Sequence, residues 1–143
     1  MAFKHFWVQY KLGKDSDQAY IKSEQFVIGR APECDLPIPT DILSRRHLKV
    51  YLEDGKIQIM DLGSTNGTYL QGERLAANQK YEYKTGNRLY LDAGKECSLR
   101  ITAIFQRDIV DYDIEQKGLE LEKKKRELRG KGNIKKKLRS VND

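Results

Sequence analysis

Leu48-Lys49-Val50-Tyr51-Leu52-Glu53-Asp54-Gly55-Lys56-Ile57-Gln58-Ile59 is the stretch on which the fold turns. Leu48, Val50 and Leu52 recur at period two, the spacing that sets alternate side chains on one face of a strand. The same period resumes at Ile57 and Ile59 after Glu53-Asp54-Gly55-Lys56, so the segment reads as a hairpin closed by an Asp-Gly turn. On the N-terminal side, Phe26-Val27-Ile28 reads as a strand, and Phe6, Val8, Tyr10 and Leu12 form a longer alternating set. On the C-terminal side the pattern returns at Tyr81/Tyr83, at Leu89/Leu91 and at Cys97/Leu99/Ile101/Ala103/Phe105. Pro32, Pro37, Pro39, Gly63, Asn66-Gly67, Gly72, Thr85-Gly86-Asn87 and Ala93-Gly94 punctuate these runs. From Phe6 to Phe105 no stretch of ten residues has helical period. The expectation is an all-β, antiparallel β-sandwich over residues 1–107.

The remainder, residues 108–143, has a different character. Asp108-Ile109-Val110-Asp111-Tyr112-Asp113-Ile114-Glu115 is acidic, and residues 117–143 hold eleven basic against four acidic side chains. Ile114, Leu121 and Leu128 are seven apart, and Glu120/Lys124 and Glu122/Arg126 have the orientation that supports a helix. The second apolar position of each heptad is absent, because Lys117/Gly118, Lys124/Lys125 and Gly132 fall there. The expectation is a charged, partly helical tail or linker rather than a coiled coil.

The chain has 143 residues and a formal net charge of +6, unevenly distributed: residues 1–107 carry +3, residues 108–116 carry −4 and residues 117–143 carry +7. Two full enzyme domains do not fit this length. No apolar run approaches the roughly 18 residues that span a bilayer, and the opening Phe3-Lys4-His5-Phe6-Trp7 lacks the unbroken apolar stretch of a secretory signal. A cytoplasmic, intracellular protein is expected, with a nuclear location also open. The two cysteines, Cys34 and Cys97, are too few for a disulfide framework and lack zinc-site spacing. Neither a metal nor a cofactor is expected.

Three short polar segments sit at strand ends where core packing does not explain them: Gly29-Arg30, Ser44-Arg45-Arg46-His47, and Asp61-Leu62-Gly63-Ser64-Thr65-Asn66-Gly67-Thr68. A phosphate dianion offers three acceptor oxygens and nearly two negative charges, so its site needs guanidinium groups, hydroxyls and loop amides turned inward. Arg30 and Arg45 supply cations, and Ser44 and Thr65 supply hydroxyls. Three or four charge-assisted bonds of about 1.5–3 kcal/mol each, less ordering costs, correspond to roughly micromolar binding. The Ser44/His47 pair has no evident oxyanion hole or orienting acid, so hydrolase chemistry is not indicated and no enzyme activity is expected.

In their order and separations these segments resemble the forkhead-associated (FHA) domain, a phosphothreonine-peptide-binding β-sandwich. The likeness covers residues 6–106 and includes Thr85-Gly86-Asn87-Arg88-Leu89-Tyr90-Leu91, where Asn87 stands in place of the family's aspartate. The resemblance implies that Arg30, Ser44, Arg45 and Thr65 contact the phosphate and that Asn66 bonds the main chain of the peptide. It implies supporting roles for Gly29, His47, Asp61, Gly67 and Thr68, with His47 bracing the loop from inside. Ile42, flanked by Leu43, stands where the family reads the residue three places after the phosphothreonine, which implies an uncharged residue there.

The resemblance thus implies a reversible reader of phosphorylated partners in signalling. Every threonine, Thr40, Thr65, Thr68, Thr85 and Thr102, lies in the sandwich, so the phosphothreonine partner is expected in trans. The alternatives are a sensory domain of a longer signalling protein, or nucleic-acid or anionic-membrane binding by Lys123-Lys124-Lys125-Arg126 and Lys135-Lys136-Lys137 in the tail. Monomer and dimer are equally compatible with the sequence.

Overall fold

The computed structural model describes residues 2–106, of which Phe3–Phe105 form one compact unit. The helical tail expected over 108–143 lies outside the described residues. Among those described there is no helix, and hence none long and apolar enough to cross a membrane.

The hairpin that opened the sequence reading pairs β5 (Leu48–Glu53) with β6 (Lys56–Asp61), from Leu48 opposite Asp61 to Glu53 opposite Lys56. Its two-residue turn has φ of 53° at Asp54 and 76° at Gly55, the mirror-image turn whose twist matches the flanking strands. Around it forms a five-stranded sheet, β4-β3-β5-β6-β9, with β3 at Gln25–Gly29, β4 at Leu36–Pro37 and β9 at Lys80–Tyr83. The second sheet has six strands in the order β2-β1-β11-β10-β7-β8. These are β1 (Ala2–Leu12), β2 (Asp15–Ile21), β7 (Tyr69–Leu70), β8 (Glu73–Arg74), β10 (Arg88–Tyr90) and β11 (Cys97–Gln106).

The expected sandwich is thus present, but its pairing is not antiparallel throughout. β3 and β4 run parallel, with Ile28 opposite Leu36 and Gly29 opposite Pro37. The chain between them turns back on itself, and the Asp35 carboxylate accepts the Val27 N–H at 2.9 Å in place of a ladder carbonyl. Pro37 offers no N–H, which an edge strand tolerates.

The core lies between the sheets and takes the inward residues of each alternating set: Phe6 and Val8 from β1, Phe26 and Ile28 from β3, Val50, Ile59, Leu89, Leu99 and Ile101. Phe6 and Phe26 meet across the two sheets with ring centroids 5.0 Å apart. Full burial of each such side chain is worth about 1.5–3 kcal/mol by area removed from water. Tyr83 on β9 joins the sheets a second time: its hydroxyl donates to the Asn87 carbonyl and accepts the Ile101 N–H of β11 at 2.9 Å. With its edges held in this way, the sandwich presents the loops after β3, before β5 and after β6 as neighbours.

Candidate functional site

β3 ends at Gly29 because the next segment of backbone passes directly over it. A Cβ there would land on the Arg45 carbonyl oxygen and come within 2.9 Å of Cys34 Sγ. That close approach lets Arg30 N donate to the Ser44 carbonyl at 2.9 Å and Ala31 N donate to the Arg45 carbonyl at 3.1 Å. The Gly29-Arg30 and Ser44-Arg45 segments are therefore stitched together main chain to main chain. Cys34 Sγ adds a third bond to the Arg45 carbonyl at 3.0 Å.

The third loop is built on Asp61, at the end of β6. Its Oδ2 accepts the N–H groups of Gly63 and Ser64, both at 2.9 Å, and its Oδ1 accepts the hydroxyls of Ser64 at 2.6 Å and Thr68 at 2.7 Å. Ser64 Oγ in turn accepts the Gly67 N–H at 3.0 Å. Burial pushes the Asp61 carboxyl upward, but the bonds from Ser64 and Thr68 outweigh it and hold the group below its ordinary value of 3.8. Gly67 has φ of 88°, in the left-handed region, and a Cβ there would meet Arg74 Nε at 2.7 Å. Ser64 was not singled out from sequence, although its place three residues after Asp61 is the spacing of a carboxylate-capped turn.

His47 ties the second loop to the third. It is fully buried, Nδ1 accepts the Ser44 N–H at 3.2 Å, and Nε2 faces the Gly67 carbonyl at 2.9 Å. A backbone N–H can only donate and a carbonyl can only accept, so the ring is neutral with its proton on Nε2. Burial pushes its pKa below the usual 6.5, against the opposing pull of the Gly67 carbonyl and of the Asp61 carboxylate 4.0 Å away.

On this frame the structure brings Arg30, Ser44, Thr65 and Asn66 to one end of the sandwich. The Thr65 N–H donates to Ser44 Oγ at 2.9 Å, and Asn66 Nδ2 donates to the Ile42 carbonyl at 2.7 Å. Arg30 Nε donates to the Leu43 carbonyl at 3.2 Å, which leaves both terminal Nη groups without a partner among the described residues. The Ser44 hydroxyl proton is likewise free to donate, because its oxygen is used only as an acceptor. Arg45 turns outward, its Nη2 3.1 Å from Glu33 Oε2 in a pair with side chains 59% and 72% exposed. A pair so exposed is worth about 0–1 kcal/mol, so a dianion can draw Arg45 away from Glu33 at little cost.

Two residues alter the sequence picture. Leu43, expected beside Ile42 as part of an apolar reading position, is buried in the core at 2% exposure, so only half-buried Ile42 remains at the surface. Arg74 on β8 was missed, because nothing in its local sequence links it to the loops. Its Nη2 donates to the Thr65 carbonyl at 3.3 Å, which adds a further cation beside the cluster. Among the described residues no three His, Cys, Asp or Glu side chains converge to hold a metal ion.

Comparison with known proteins bears on this arrangement. The family model for the FHA domain matches residues 26–92. The serine/threonine-protein kinase RAD53 of Saccharomyces cerevisiae is 31% identical over 93 residues, 64% of this chain and 11% of that protein. The glycogen accumulation regulator GarA of Mycolicibacterium smegmatis is 44% identical over 45 residues, 32% of this chain and 28% of that protein. The chain thus spans less than a third of either relative's length. Among solved structures, the N-terminal FHA domain of S. cerevisiae Rad53p, in complex with a phosphothreonine peptide, superimposes with a TM-score of 0.62 at 24% identity, covering 70% of this chain and 94% of that one. That likeness concerns the fold. The family match takes in the loops just described and identifies residues 26–92 as an FHA domain.

Proposed function

We propose that the chain is a non-enzymatic binding module that reads phosphothreonine on a partner protein, reversibly and in trans. The observation that carries this reading is the convergence of Arg30, Ser44, Thr65 and Asn66 with donors to spare, on loops pinned by His47 and Asp61. In the bound state the Arg30 Nη groups, the Ser44 hydroxyl, Arg45 and Thr65 meet the phosphate oxygens. Asn66 keeps one N–H on the Ile42 carbonyl and offers its second N–H and its Oδ1 to the peptide main chain. The loops are held before any ligand arrives, so little ordering opposes binding. The related yeast structure was solved with a phosphothreonine peptide, which supports the same class of ligand here.

A phosphopeptide library probed with the full chain tests this and reads the consensus at once. A phosphothreonine peptide selected in this way should bind with a Kd on the order of micromolar. Arg30→Ala should abolish detectable binding while the melting temperature changes little. Undiminished binding by Arg30→Ala would remove Arg30 from the site, and a library with no phosphothreonine-dependent binder would overturn the function.

A further inference from the structure

Away from the loops, the outer face of the six-stranded sheet carries a charge arrangement that folding does not favour. Arg88 on β10 lies directly opposite Arg100 on β11. Their neighbours Leu89 and Leu99 are buried, which sets both arginines on the face turned from the core. Opposed residues of an antiparallel pair have Cα atoms about 4.5–5.5 Å apart, and like charges there are destabilising. Among the described residues neither guanidinium has a carboxylate within ion-pair distance, the pairs there being Arg45–Glu33, Lys80–Glu53 and the His47–Asp61 contact. The two arginines open onto a groove of about 470 Å³ whose walls also include Lys11, Asp17, Gln18 and Ser98.

This groove is joined to the phosphothreonine loops by a row of residues on the same face. Tyr90, two residues beyond Arg88, lies opposite Ser98 on one side and Tyr69 on the other, and Tyr69 lies opposite Arg74. Arg74 bonds the Thr65 carbonyl, and Lys95 Nζ stands 5.5 Å over the Tyr90 ring. With strands about 4.8 Å apart, β8 and β11 are separated by about 14 Å across the sheet. An extended peptide advancing about 3.3 Å per residue crosses that span, with slack, in about five to eight residues.

We propose that the Lys11/Arg88/Arg100 groove is a second docking site that takes an acidic stretch of the same partner whose phosphothreonine occupies the loops. The pairing of the two sites rests on the phosphothreonine reading above. Carboxylates suit the groove because each guanidinium can donate two N–H bonds to one carboxylate and the Arg–Arg repulsion is thereby relieved. Three cations, Lys11, Arg88 and Arg100, line this one groove, a localised charge that a short run of Asp or Glu matches better than the continuous charge of a nucleic acid does.

The test uses the ¹⁵N-labelled full chain and two kinds of peptide. An unphosphorylated Glu-rich peptide should shift the amide resonances of Lys11, Gln18, Arg88 and Arg100 and leave those of Ser44, Thr65 and Asn66 in place. A phosphothreonine peptide carrying a run of Glu beyond a spacer of about six residues should bind about five- to twentyfold more tightly than its Gln counterpart at low salt, for an extension on one side of the phosphothreonine. That gain should vanish in Arg88→Gln/Arg100→Gln, which binds the Gln-extended peptide as the wild type does, and should shrink in Lys11→Gln. Groove amides that do not respond to the Glu-rich peptide, a gain that survives in the double variant, or a response only to an oligonucleotide of equal charge would each overturn the proposal. If the phosphothreonine peptides fail to bind while the Glu-rich peptide still shifts the groove amides, the loop reading falls and the groove remains an acidic-peptide site.

Discussion

His47→Ala offers the most direct test of how the candidate site is held. In the folded chain the ring accepts the Ser44 N–H, donates to the Gly67 carbonyl and is fully buried, so alanine strands one half-buried donor and one buried acceptor from two different loops. Each unsatisfied group costs about 1–3 kcal/mol, and the emptied ring volume adds to that, for a total of about 3–6 kcal/mol. Against a total stability of about 5–15 kcal/mol this is a large share, and at about 4–8 °C per kcal/mol the melting temperature should fall by at least about 12 °C. Calorimetry and urea unfolding of the full-length chain measure it directly. The wild type supplies a second arm. Because burial holds the folded His47 pKa below 6.5, its contribution to stability is fully present above that pH. As the pH falls below 6.5, the unfolded chain takes up a proton that the folded one refuses, and the contribution is lost down to the folded pKa. A His47→Ala variant that melts within about 5 °C of the wild type would refute the bracing role, as would identical pH profiles of wild type and variant between 7 and 5.

Gly29→Ala drives a methyl group into the Arg45 carbonyl and parts the two main-chain bonds from Arg30 and Ala31, so stability should fall by about 2–4 kcal/mol in urea unfolding and phosphopeptide affinity should fall with it. Asp61→Asn keeps the shape but replaces a four-bond acceptor with a group that has only one acceptor oxygen, costing about 2–4 kcal/mol at neutral pH. For the wild type, the depressed Asp61 pKa means stability present above 3.8 and lost as the pH falls through the folded value, which an acid titration followed by circular dichroism will show and the Asn variant will lack. Matched peptides differing only in phosphothreonine against phosphoserine should differ in Kd by at least about fourfold, the value of one buried methyl group at about 0.8 kcal/mol; equal affinity in calorimetric titration would count against the proposed pocket.

Period-two alternation was enough to reveal most strands of this chain, because a sandwich strand with one face on the core must alternate. The β5–β6 hairpin was the clearest case, since Asp54-Gly55 is chemistry that suits a two-residue turn with positive φ. β2 escaped because Asp15–Ile21 runs along an edge with no side chain fully buried and only Ala19 and Ile21 half-buried against the core, too short a set to mark it. β7 and β8, two residues each, are too short to carry a period at all. The residue types of the loops marked Arg30, Ser44, Arg45 and Thr65 as phosphate-binding groups, and the family resemblance added Asn66, but their proximity is a property of the tertiary structure. It depends on Gly29 lying beneath the Arg45 carbonyl, on one imidazole spanning Ser44 and Gly67, and on four bonds converging on Asp61. The Arg88–Arg100 opposition could be seen only once strand register was known, because a shift of one residue turns either arginine to the other face. Alternation is a local constraint that each strand satisfies alone, so sequence carries it; register, loop contact and charge opposition are relations between distant segments, decided only when the two sheets pack.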